Sequence, residues 1–140
     1  MLRLCEERDS AAIYRLICLL EDTCFDQKLF HSIYQQKLND NAYTCFAAVE
    51  QEKLIGFLCL RIDTQLHHVA KVATIEELVT DPDIRSKGIG AQLLTDAIAL
   101  AKKEHCEVIE LTSNVTRTRA HAFYLRNGFT NSSYKFKMVL

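Results

Sequence analysis

The stretch around which this sequence is organised is Arg85-Ser86-Lys87-Gly88-Ile89-Gly90-Ala91, which lies between a strand-like run ending near Thr80 and a helical run continuing to about Glu104. A short, glycine-bearing turn that opens a helix leaves backbone N–H groups free at the positive end of the helix dipole. Such a place holds phosphate oxygens well. We therefore predict an anion-binding loop. Its residues are Arg85, Ser86, Lys87, Gly88, Ile89 and Gly90.

Spacing separates the known phosphate loops. A Walker A loop needs a lysine after its last glycine, whereas Lys87 precedes both glycines here. A dinucleotide fingerprint needs a third glycine, and Leu93 occupies that place. The pattern that remains is R-x-x-G-x-G/A.

Composition limits the class of protein. A chain of 140 residues is most simply one domain, residues 1–140. A formal charge of -1 argues against a large nucleic-acid footprint, so no nucleic-acid partner is expected. The 6 cysteines form no C-x-x-C pair and read as reduced core residues of a cytoplasmic protein. No window approaches the length of a membrane span, and the N-terminus lacks the apolar core of a signal peptide.

The hydrophobic periodicity changes several times along the chain. Helical patterns follow caps at Asp9-Ser10 and Asp26, and further helices are predicted behind the glycine loop and over Thr116–Arg126. Strand patterns are predicted at Leu2–Leu4, Tyr43–Val49, Leu54–Ile62, Lys71–Thr80, Val108–Leu111 and Tyr134–Met138. Gly56 is expected to mark a bend. The order β-α-α-β-β-β-α-β-α-β predicts an α/β fold with a mixed central sheet flanked by helices.

Two segments resemble the signatures of the GNAT family of N-acetyltransferases. Glu77-Leu78-Val79-Thr80-Asp81-Pro82, followed by Arg85-x-x-Gly88-x-Gly90, resembles the family's strand-to-loop signature. Ala120-His121-Ala122-Phe123-Tyr124-Leu125-Arg126-Asn127-Gly128-Phe129 resembles its second signature. The resemblance runs from about Leu2 to Leu140. It implies the GNAT fold, with the sheet splayed at strands four and five, and acetyl-CoA as cosubstrate.

A closer likeness is to the aminoalkylphosphonate N-acetyltransferases. It is carried by Leu66-His67-His68-Val69, by Glu110-Leu111-Thr112-Ser113-Asn114-Val115-Thr116-Arg117 and by Tyr134-Lys135-Phe136. It implies transfer of acetyl to the primary amine of a small molecule. Two positions depart from the pattern: Ser86 replaces a glycine, and Thr74 stands where that branch carries an acid.

Acetyl transfer to an amine needs a base, because an ammonium group has no lone pair. On a strand Glu76 shares a face with Thr74, whereas Glu77 points oppositely unless a bulge intervenes. We predict Glu76 as the general base, with Glu77 or water as alternatives. By resemblance, the Tyr124 hydroxyl protonates the departing thiolate, in a direct-transfer mechanism.

The resemblance implies further contacts to the ligands. Leu78, Val79 and Asn114 would contact the pantetheine arm. If the acceptor carries a phosphonate, His67, His68 and Arg117 are the predicted substrate-binding residues, with Arg61 and Arg119 as further candidates, because guanidinium matches that anion bidentately. Adjacent histidines on a strand point to opposite faces, so no metal site is predicted.

Several alternatives remain open. Within the same enzyme class the acceptor could be a polyamine, an aminoglycoside or a protein N-terminus. From another class, the chain could be a non-catalytic CoA-binding regulatory protein, as the absent acid at Thr74 would permit. The resemblance also implies a possible homodimer, because proteins of the GNAT fold often pair through their C-terminal strands.

Overall fold

The computed structural model describes the backbone of residues 1–140 and every side chain except those of residues 85–87. The chain falls into two compact units, Met1–Glu110 and Leu111–Leu140. The expectation of one domain over residues 1–140 remains a prediction.

Five strands and four helices make up the described fold. The strands are β1 (Leu2–Leu4), β2 (Tyr43–Glu50), β3 (Lys53–Gln65), β4 (Ala70–Thr80) and β5 (Val108–Leu111). The helices are α1 (Ser10–Glu21), α2 (Gln27–Leu38), α3 (Ile89–Lys103) and α4 (Thr118–Arg126). Short 3-10 segments span Glu7–Asp9 and Pro82–Lys87.

The strands form one sheet in the order β1-β2-β3-β4-β5. The pairs β1–β2, β2–β3 and β3–β4 are antiparallel. The Glu107 N–H donates to the Lys71 carbonyl at 3.0 Å, which brings the start of β5 beside the start of β4. These two strands therefore run parallel. The predicted α/β class with a mixed sheet is confirmed.

Strand β3 lies at the centre of the sheet and is buried on both faces. Every residue from Leu54 to Leu60 is buried, as expected where helices cover both sides. Phe57 and Cys59 pack in a cluster with residues of α1 and α2, among them Ile13 and Leu16. Gly56 points to the opposite face, towards α3.

Gly56 permits a close approach of α3 to the sheet. A Cβ built at this position would lie 3.0 Å from Ile89 Cγ2 and 3.0 Å from Leu93 Cδ1. The expected irregularity is also present beside it: Ala48 pairs with Gly56 but Val49 pairs with Leu54, so β3 carries one extra residue.

The two predicted helix caps have different outcomes. Asp26 caps α2 as predicted, its Oδ1 accepting from the Leu29 N–H at 2.8 Å. Asp9 makes no side-chain cap to α1. Its carboxylate instead accepts from both terminal nitrogens of Arg3, at 2.7 and 2.8 Å. The capping interpretation of Asp9 was wrong because a bidentate guanidinium binds the carboxylate first.

The C-terminal strand predicted at Tyr134–Met138 is not formed. Residues 129–140 have no regular secondary structure, and Tyr134 and Phe136 are 92% and 93% exposed. Alternation predicts which face a strand would bury, but a strand also needs a neighbour for its backbone hydrogen bonds. The predicted element order therefore lacks its last strand.

The predicted start of α4 was also early. It begins at Thr118 instead of Thr116, because Asn114 holds Thr116 in a turn. No helix with fully described side chains is long and apolar enough to cross a membrane.

Candidate active site

A β-bulge in β4 brings two glutamates to one place. Leu58 pairs with Leu78 and Cys59 with Glu77, but Leu60 then pairs with Ile75, so Glu76 has no partner on β3. One oxygen each of Glu76 and Glu77 and the sulfur of Cys59 all lie within 4.8 Å of one another. The sequence predicted that the two glutamates face opposite ways unless a bulge intervenes, and the bulge is present: the extra residue resets the alternation.

Two cations bind the carboxylate of Glu76. Lys37, near the end of α2, donates from Nζ to Glu76 Oε1. Arg61 Nε lies 3.2 Å from Glu76 Oε2, an ion-pair distance without the alignment of a hydrogen bond. Arg61 also contacts Asp63 Oδ2 at 3.0 Å. Glu76 is therefore held by opposite charges, and Arg61 is already engaged by two acids.

Glu77 has a different environment. Burial raises the pKa of Glu77, the Lys37 ammonium partly offsets this, and the neighbouring Glu76 adds to the rise. A carboxylate with a raised pKa is a better proton acceptor than an ordinary exposed one. Of the two glutamates, Glu77 has the electrostatic properties of a general base, whereas Glu76 has those of an ion-pair partner.

The same cluster contains the ligand atoms that a metal ion would require. Among the described side chains, Cys59, Glu76 and Glu77 form a group able to hold a metal. Lys37 and Arg61 already supply positive charge to Glu76. A bound cation would compete with them for the Glu76 carboxylate.

Thr74 occupies the position where the aminoalkylphosphonate N-acetyltransferases that this sequence resembles are expected to carry an acid. It pairs in register with Arg61, on the sheet face that carries Cys59. Its hydroxyl is buried and has no hydrogen-bond partner among the described residues. A buried hydroxyl without a partner is costly, because it has lost its hydrogen bonds to water.

The glycine loop ends where α3 begins. Gly88 has φ 71° and ψ 20°, the left-handed conformation that favours glycine. Gly88 makes no side-chain cap to α3, and none of the described side chains caps the first N–H groups of this helix. Ile89 and Gly90 are the first two residues of α3. The side chains of Arg85, Ser86 and Lys87, also predicted to bind the anion, lie outside the described residues.

Asp81 anchors the segment that enters this loop, and sequence reasoning assigned it no such role. Its buried carboxylate accepts from the Asp83 N–H at 3.0 Å and from Arg15 Nη2 at 3.0 Å. Lys53 Nζ lies 3.4 Å away. The Asp83 N–H and the Arg15 guanidinium hold the pKa of Asp81 below its ordinary value. The signal in the sequence was the pattern Asp81-Pro82-Asp83 at a strand end, typical of an Asx turn.

Leu78 and Val79 lie on the part of β4 beyond the bulge. They pair with Leu58 and Phe57 of β3. β5 has 4 residues, against 11 in β4, and starts beside Lys71, so it can pair only the first part of β4. The outer edge of β4 near Leu78 is therefore not paired by β5, and such an edge can bind an extended ligand.

Tyr124 lies on α4, in the second unit. Its ring makes edge-on contacts with Phe123 and Phe129, at centroid distances of 5.4 and 5.8 Å. Burial raises the pKa of Tyr124, and the Arg117 charge partly offsets the rise. The phenol is therefore protonated at neutral pH. Within residues 111–140 its hydroxyl has no hydrogen-bond partner.

Asn114 and Arg117 flank the turn before α4. Asn114 Oδ1 accepts from the N–H of Thr116 at 2.9 Å and from its hydroxyl at 2.8 Å. The turn thus uses this oxygen, and the amide nitrogen is what Asn114 can offer a ligand. Arg117 is partly buried at the N-terminal end of α4.

His67 and His68 lie in the turn between β3 and β4. Both are exposed, and their ring centroids are 4.4 Å apart, so the assumption that they point to opposite faces of a strand was wrong. Five residues of strand lie between Ala70 and Glu76, which places the two Cα atoms about 20 Å apart. The structure does not bring the histidines to the glutamate pair.

Comparisons with known proteins identify the family. The family model described as "Acetyltransferase (GNAT) family" matches residues 10–129. The aminoalkylphosphonate N-acetyltransferase of Salmonella typhimurium is 33% identical over 139 residues, which cover 99% of this chain and 90% of that protein.

Solved structures share the fold. A transcriptional regulator from Bacillus halodurans superposes with a TM-score of 0.92 at 25% identity, covering 100% of this chain and 99% of the other. An acetyltransferase of Trypanosoma brucei has a TM-score of 0.83 at 22% identity, with the same coverage. This chain therefore belongs to the acetyltransferase (GNAT) family, and its predicted nature as an N-acetyltransferase is confirmed at that level.

Proposed function

We propose that this protein transfers acetyl from acetyl-CoA to the primary amine of a small molecule, with Glu77 as general base and Tyr124 as general acid. The observation that carries the proposal is the bulge in β4, which places a carboxylate with a raised pKa on the strand that leads to the anion-binding loop. Glu76 then acts as the ion-pair partner that keeps Lys37 and Arg61 in place.

The cofactor would bind along β4 and the start of α3. The pyrophosphate accepts hydrogen bonds from the open N-terminus of α3 after Gly88, where the helix dipole favours an anion. Arg85, Ser86 and Lys87 contribute as predicted from their motif. The pantetheine arm pairs with the outer edge of β4 at Leu78 and Val79, and Asn114 offers it an amide nitrogen.

The reaction needs three proton transfers. Glu77 takes a proton from the acceptor's ammonium, and the amine nitrogen then attacks the thioester carbonyl carbon. The carbon–sulfur bond breaks, and the Tyr124 hydroxyl gives its proton to the CoA thiolate. The nitrogen, positively charged after the attack, gives its second proton to the Tyr124 phenolate, which leaves the neutral amide. A base and an acid of this kind each contribute about 10²–10⁴-fold to the rate.

The charges beside Glu77 indicate the amine end of the acceptor. With Glu77 ionised, three carboxylates (Asp63, Glu76 and Glu77) face two cations (Lys37 and Arg61), which leaves an excess of negative charge. An ammonium group restores neutrality there, and the Thr74 hydroxyl can accept a hydrogen bond from it.

Aminoalkylphosphonates are the first acceptors to test, because the relative from Salmonella carries that name. Since Arg61 is already paired with acids, Arg117 is the stronger candidate for the phosphonate. His67 and His68 remain predictions for the same role. Polyamines and aminoglycosides form a second candidate class, favoured by the negative charge beside Glu77.

The proposal is tested by thiol release from acetyl-CoA with a panel of amines. The panel contains aminomethyl- and aminoethylphosphonate, the matching alkylamines without phosphonate, spermidine and an aminoglycoside. We expect the phosphonates to give the highest kcat/KM. Tight binding of acetyl-CoA without turnover of any amine would instead favour a CoA-binding regulator.

The base is tested by comparing Glu77→Gln with Glu76→Gln. We expect Glu77→Gln to lower kcat/KM by about 10²–10⁴-fold and to remove the acidic limb of the pH–rate profile. Glu76→Gln should retain that limb. The reverse pattern would restore Glu76 as the base.

We also propose that the protein acts in the cytoplasm as a homodimer. All 6 cysteines are free, as expected in a reducing compartment. The exposed side chains of Tyr134, Phe136 and Met138 alternate along residues 134–138. An extended segment of this pattern can pair with the sheet of a second copy and bury these side chains.

A further inference from the structure

The turn between β5 and α4 is built around Asn114, whose two oxygen atoms each accept two hydrogen bonds. The side-chain oxygen Oδ1 accepts from the Thr116 N–H at 2.9 Å and from the Thr116 hydroxyl at 2.8 Å. The backbone carbonyl accepts from the Arg117 N–H at 3.0 Å and lies 2.8 Å from Nε2 of His121. All of these residues belong to the second unit.

The contact with Asn114 fixes the tautomer of the His121 ring. A carbonyl oxygen can only accept, so Nε2 of His121 carries a proton and donates it to Asn114. His121 lies within α4, and its partly buried side chain reaches back over the start of the helix, in the direction that helical side chains point. The ring therefore ties α4 to the turn that precedes it.

These contacts leave Asn114 as a donor towards a ligand. Each of its oxygens already accepts two hydrogen bonds, which is the capacity of such an oxygen. The side-chain amide cannot be turned over, because its NH₂ group would then face the Thr116 N–H. The two N–H groups of the amide have no hydrogen-bond partner among the described side chains and the backbone, so they remain free to donate.

We propose that His121 is a positioning residue for acetyl-CoA: by donating to the Asn114 carbonyl, it holds the amide N–H groups of Asn114 where they donate to the pantetheine arm. That arm contains amide carbonyl groups, which accept such hydrogen bonds. The inference rests on the contact proposed above between Asn114 and the arm, and it adds a residue that touches neither cofactor nor acceptor. His121 acts through Asn114.

The turn itself does not depend on His121. Thr116 holds the side-chain oxygen of Asn114, and the Arg117 N–H also holds its carbonyl. Without the imidazole donor the turn keeps these bonds but loses its link to α4 through this ring. We therefore expect the loss of His121 to weaken cofactor binding more than it weakens the fold.

The tautomer is tested by long-range proton–nitrogen NMR of the intact protein with ¹⁵N-labelled histidine, at about pH 8. The His121 signals are assigned by their loss in His121→Gln. We expect the neutral ring to carry its proton on Nε2. A ring that carries its proton mainly on Nδ1 would overturn the inference, because it could not donate to Asn114 from Nε2.

The effect on the cofactor is measured by calorimetric titration with acetyl-CoA. His121→Leu removes the donor, whereas His121→Gln keeps an N–H group at a similar reach. We expect His121→Leu to raise the Kd and the KM for acetyl-CoA by about 3–10-fold with kcat nearly unchanged, and His121→Gln to restore most of the affinity. His105→Leu, at an exposed histidine after α3, is the control and should leave the Kd unchanged.

A double-mutant cycle shows whether His121 acts through Asn114. Asn114→Asp keeps the oxygen that Thr116 binds but removes the N–H groups, and in this variant His121→Leu should cause no further loss of affinity. A further loss as large as in the wild type overturns the inference. An unchanged Kd in folded His121→Leu also overturns it, and if that variant does not fold, His121→Ala supplies the same comparison.

The same variants separate this inference from the proposed function. If Asn114→Asp weakens binding and His121→Leu does not, only the positioning role of His121 fails. If Asn114→Asp leaves the Kd unchanged, the proposed contact with the pantetheine arm fails and the inference fails with it. Because the Kd is measured without an acceptor, both results hold whether or not an amine of the panel is acetylated.

Discussion

The proposed role of Glu77 as a base and the stability of the fold make opposite demands on its carboxylate. Burial raises its pKa in the folded state, so folding favours the protonated form. The free energy of unfolding therefore falls as pH rises from the unfolded pKa, about 4.3, through the folded pKa, and stays lower above it. The raised pKa that suits this carboxylate to accept a proton therefore makes the folded protein less stable when the carboxylate is ionised.

Glu77→Gln should therefore raise the melting temperature at pH 8, because the neutral amide avoids burying a charge. The gain should close as the pH falls to about 4, where the unfolded carboxyl also takes up its proton. Thermal unfolding across this pH range measures it. Glu110→Gln, at an exposed position of β5, is the control. A gain that is equal at every pH would contradict the assignment.

Tyr124→Phe should lower kcat by about 10²-fold and leave the affinity for acetyl-CoA nearly unchanged, because it removes only the proton donor to the thiolate. Steady-state kinetics and equilibrium binding give the two values. Tyr134→Phe, a tyrosine 92% exposed in the C-terminal segment, controls for the loss of a hydroxyl. An unchanged kcat would show that water or another group protonates CoA.

Different interactions fix the backbone at the two ends of the anion-binding loop. Asp81 fixes the entry by accepting hydrogen bonds from Asp83 and Arg15, and Gly88 forms the exit by adopting a positive φ. Neither acts by touching the anion with its side chain. We expect both to affect cofactor binding through the backbone they hold.

Asp81→Ala should destabilise the protein by about 2 kcal/mol at pH 7, because hydrogen bonds to a buried charge are lost. The pKa of Asp81 is lowered in the folded state, so its contribution is present above the unfolded pKa and lost as pH falls through the folded one. Urea unfolding at pH 7 and near pH 3 should show the difference shrinking in acid. Asp83→Ala, which alters an exposed acid in the same loop, should cost little at either pH.

Gly88→Ala should raise the KM for acetyl-CoA and cost about 1–2 kcal/mol of stability. Among the described side chains nothing lies within 4 Å of the added Cβ, so the expected penalty comes from φ 71°. Gly128→Ala is a matched control, with φ 93° and an equally open surrounding. It should lose similar stability with no change in KM. Equal KM values in the two variants would argue against an anion site at α3.

Local signals predicted most of the elements. The cap at Asp26, the hairpin of β2 and β3 and the helix behind the glycine loop all depend on residues close in sequence. The bulge at Glu76 could not be predicted, because it is a property of how β4 pairs with β3. The choice of base depended on that bulge, so the motif located the glutamate pair but could not distinguish its members.

The chain ends in a segment whose pattern has no partner within the second unit. Tyr134 and Phe136 are exposed, whereas the sequence alternates as a strand would. The alternation therefore indicates which side chains would share a face of a strand, but it does not indicate which other strand would pair with it. The last predicted strand failed for this reason, because the pairing of a strand is not a local property of its sequence.

Substituting Asp at both Tyr134 and Phe136 should convert the proposed dimer to a monomer, because the buried apolar side chains would become charged. Sedimentation velocity measures the mass. The control places Asp at Lys135 and Lys137, the alternate positions, and should remain dimeric. A wild-type protein that sediments as a monomer at micromolar concentration would contradict the proposed dimer.

Because Gly56 has no Cβ, it links the expected affinity for the cofactor to the packing of the core. Ile89, the first residue of α3, lies directly over this position, so the height of the helix start above the sheet is set by the volume at residue 56. The N–H groups proposed to bind pyrophosphate move with that helix start. A methyl group added at residue 56, on the buried face of β3, would thus change the affinity for acetyl-CoA without contacting the cofactor.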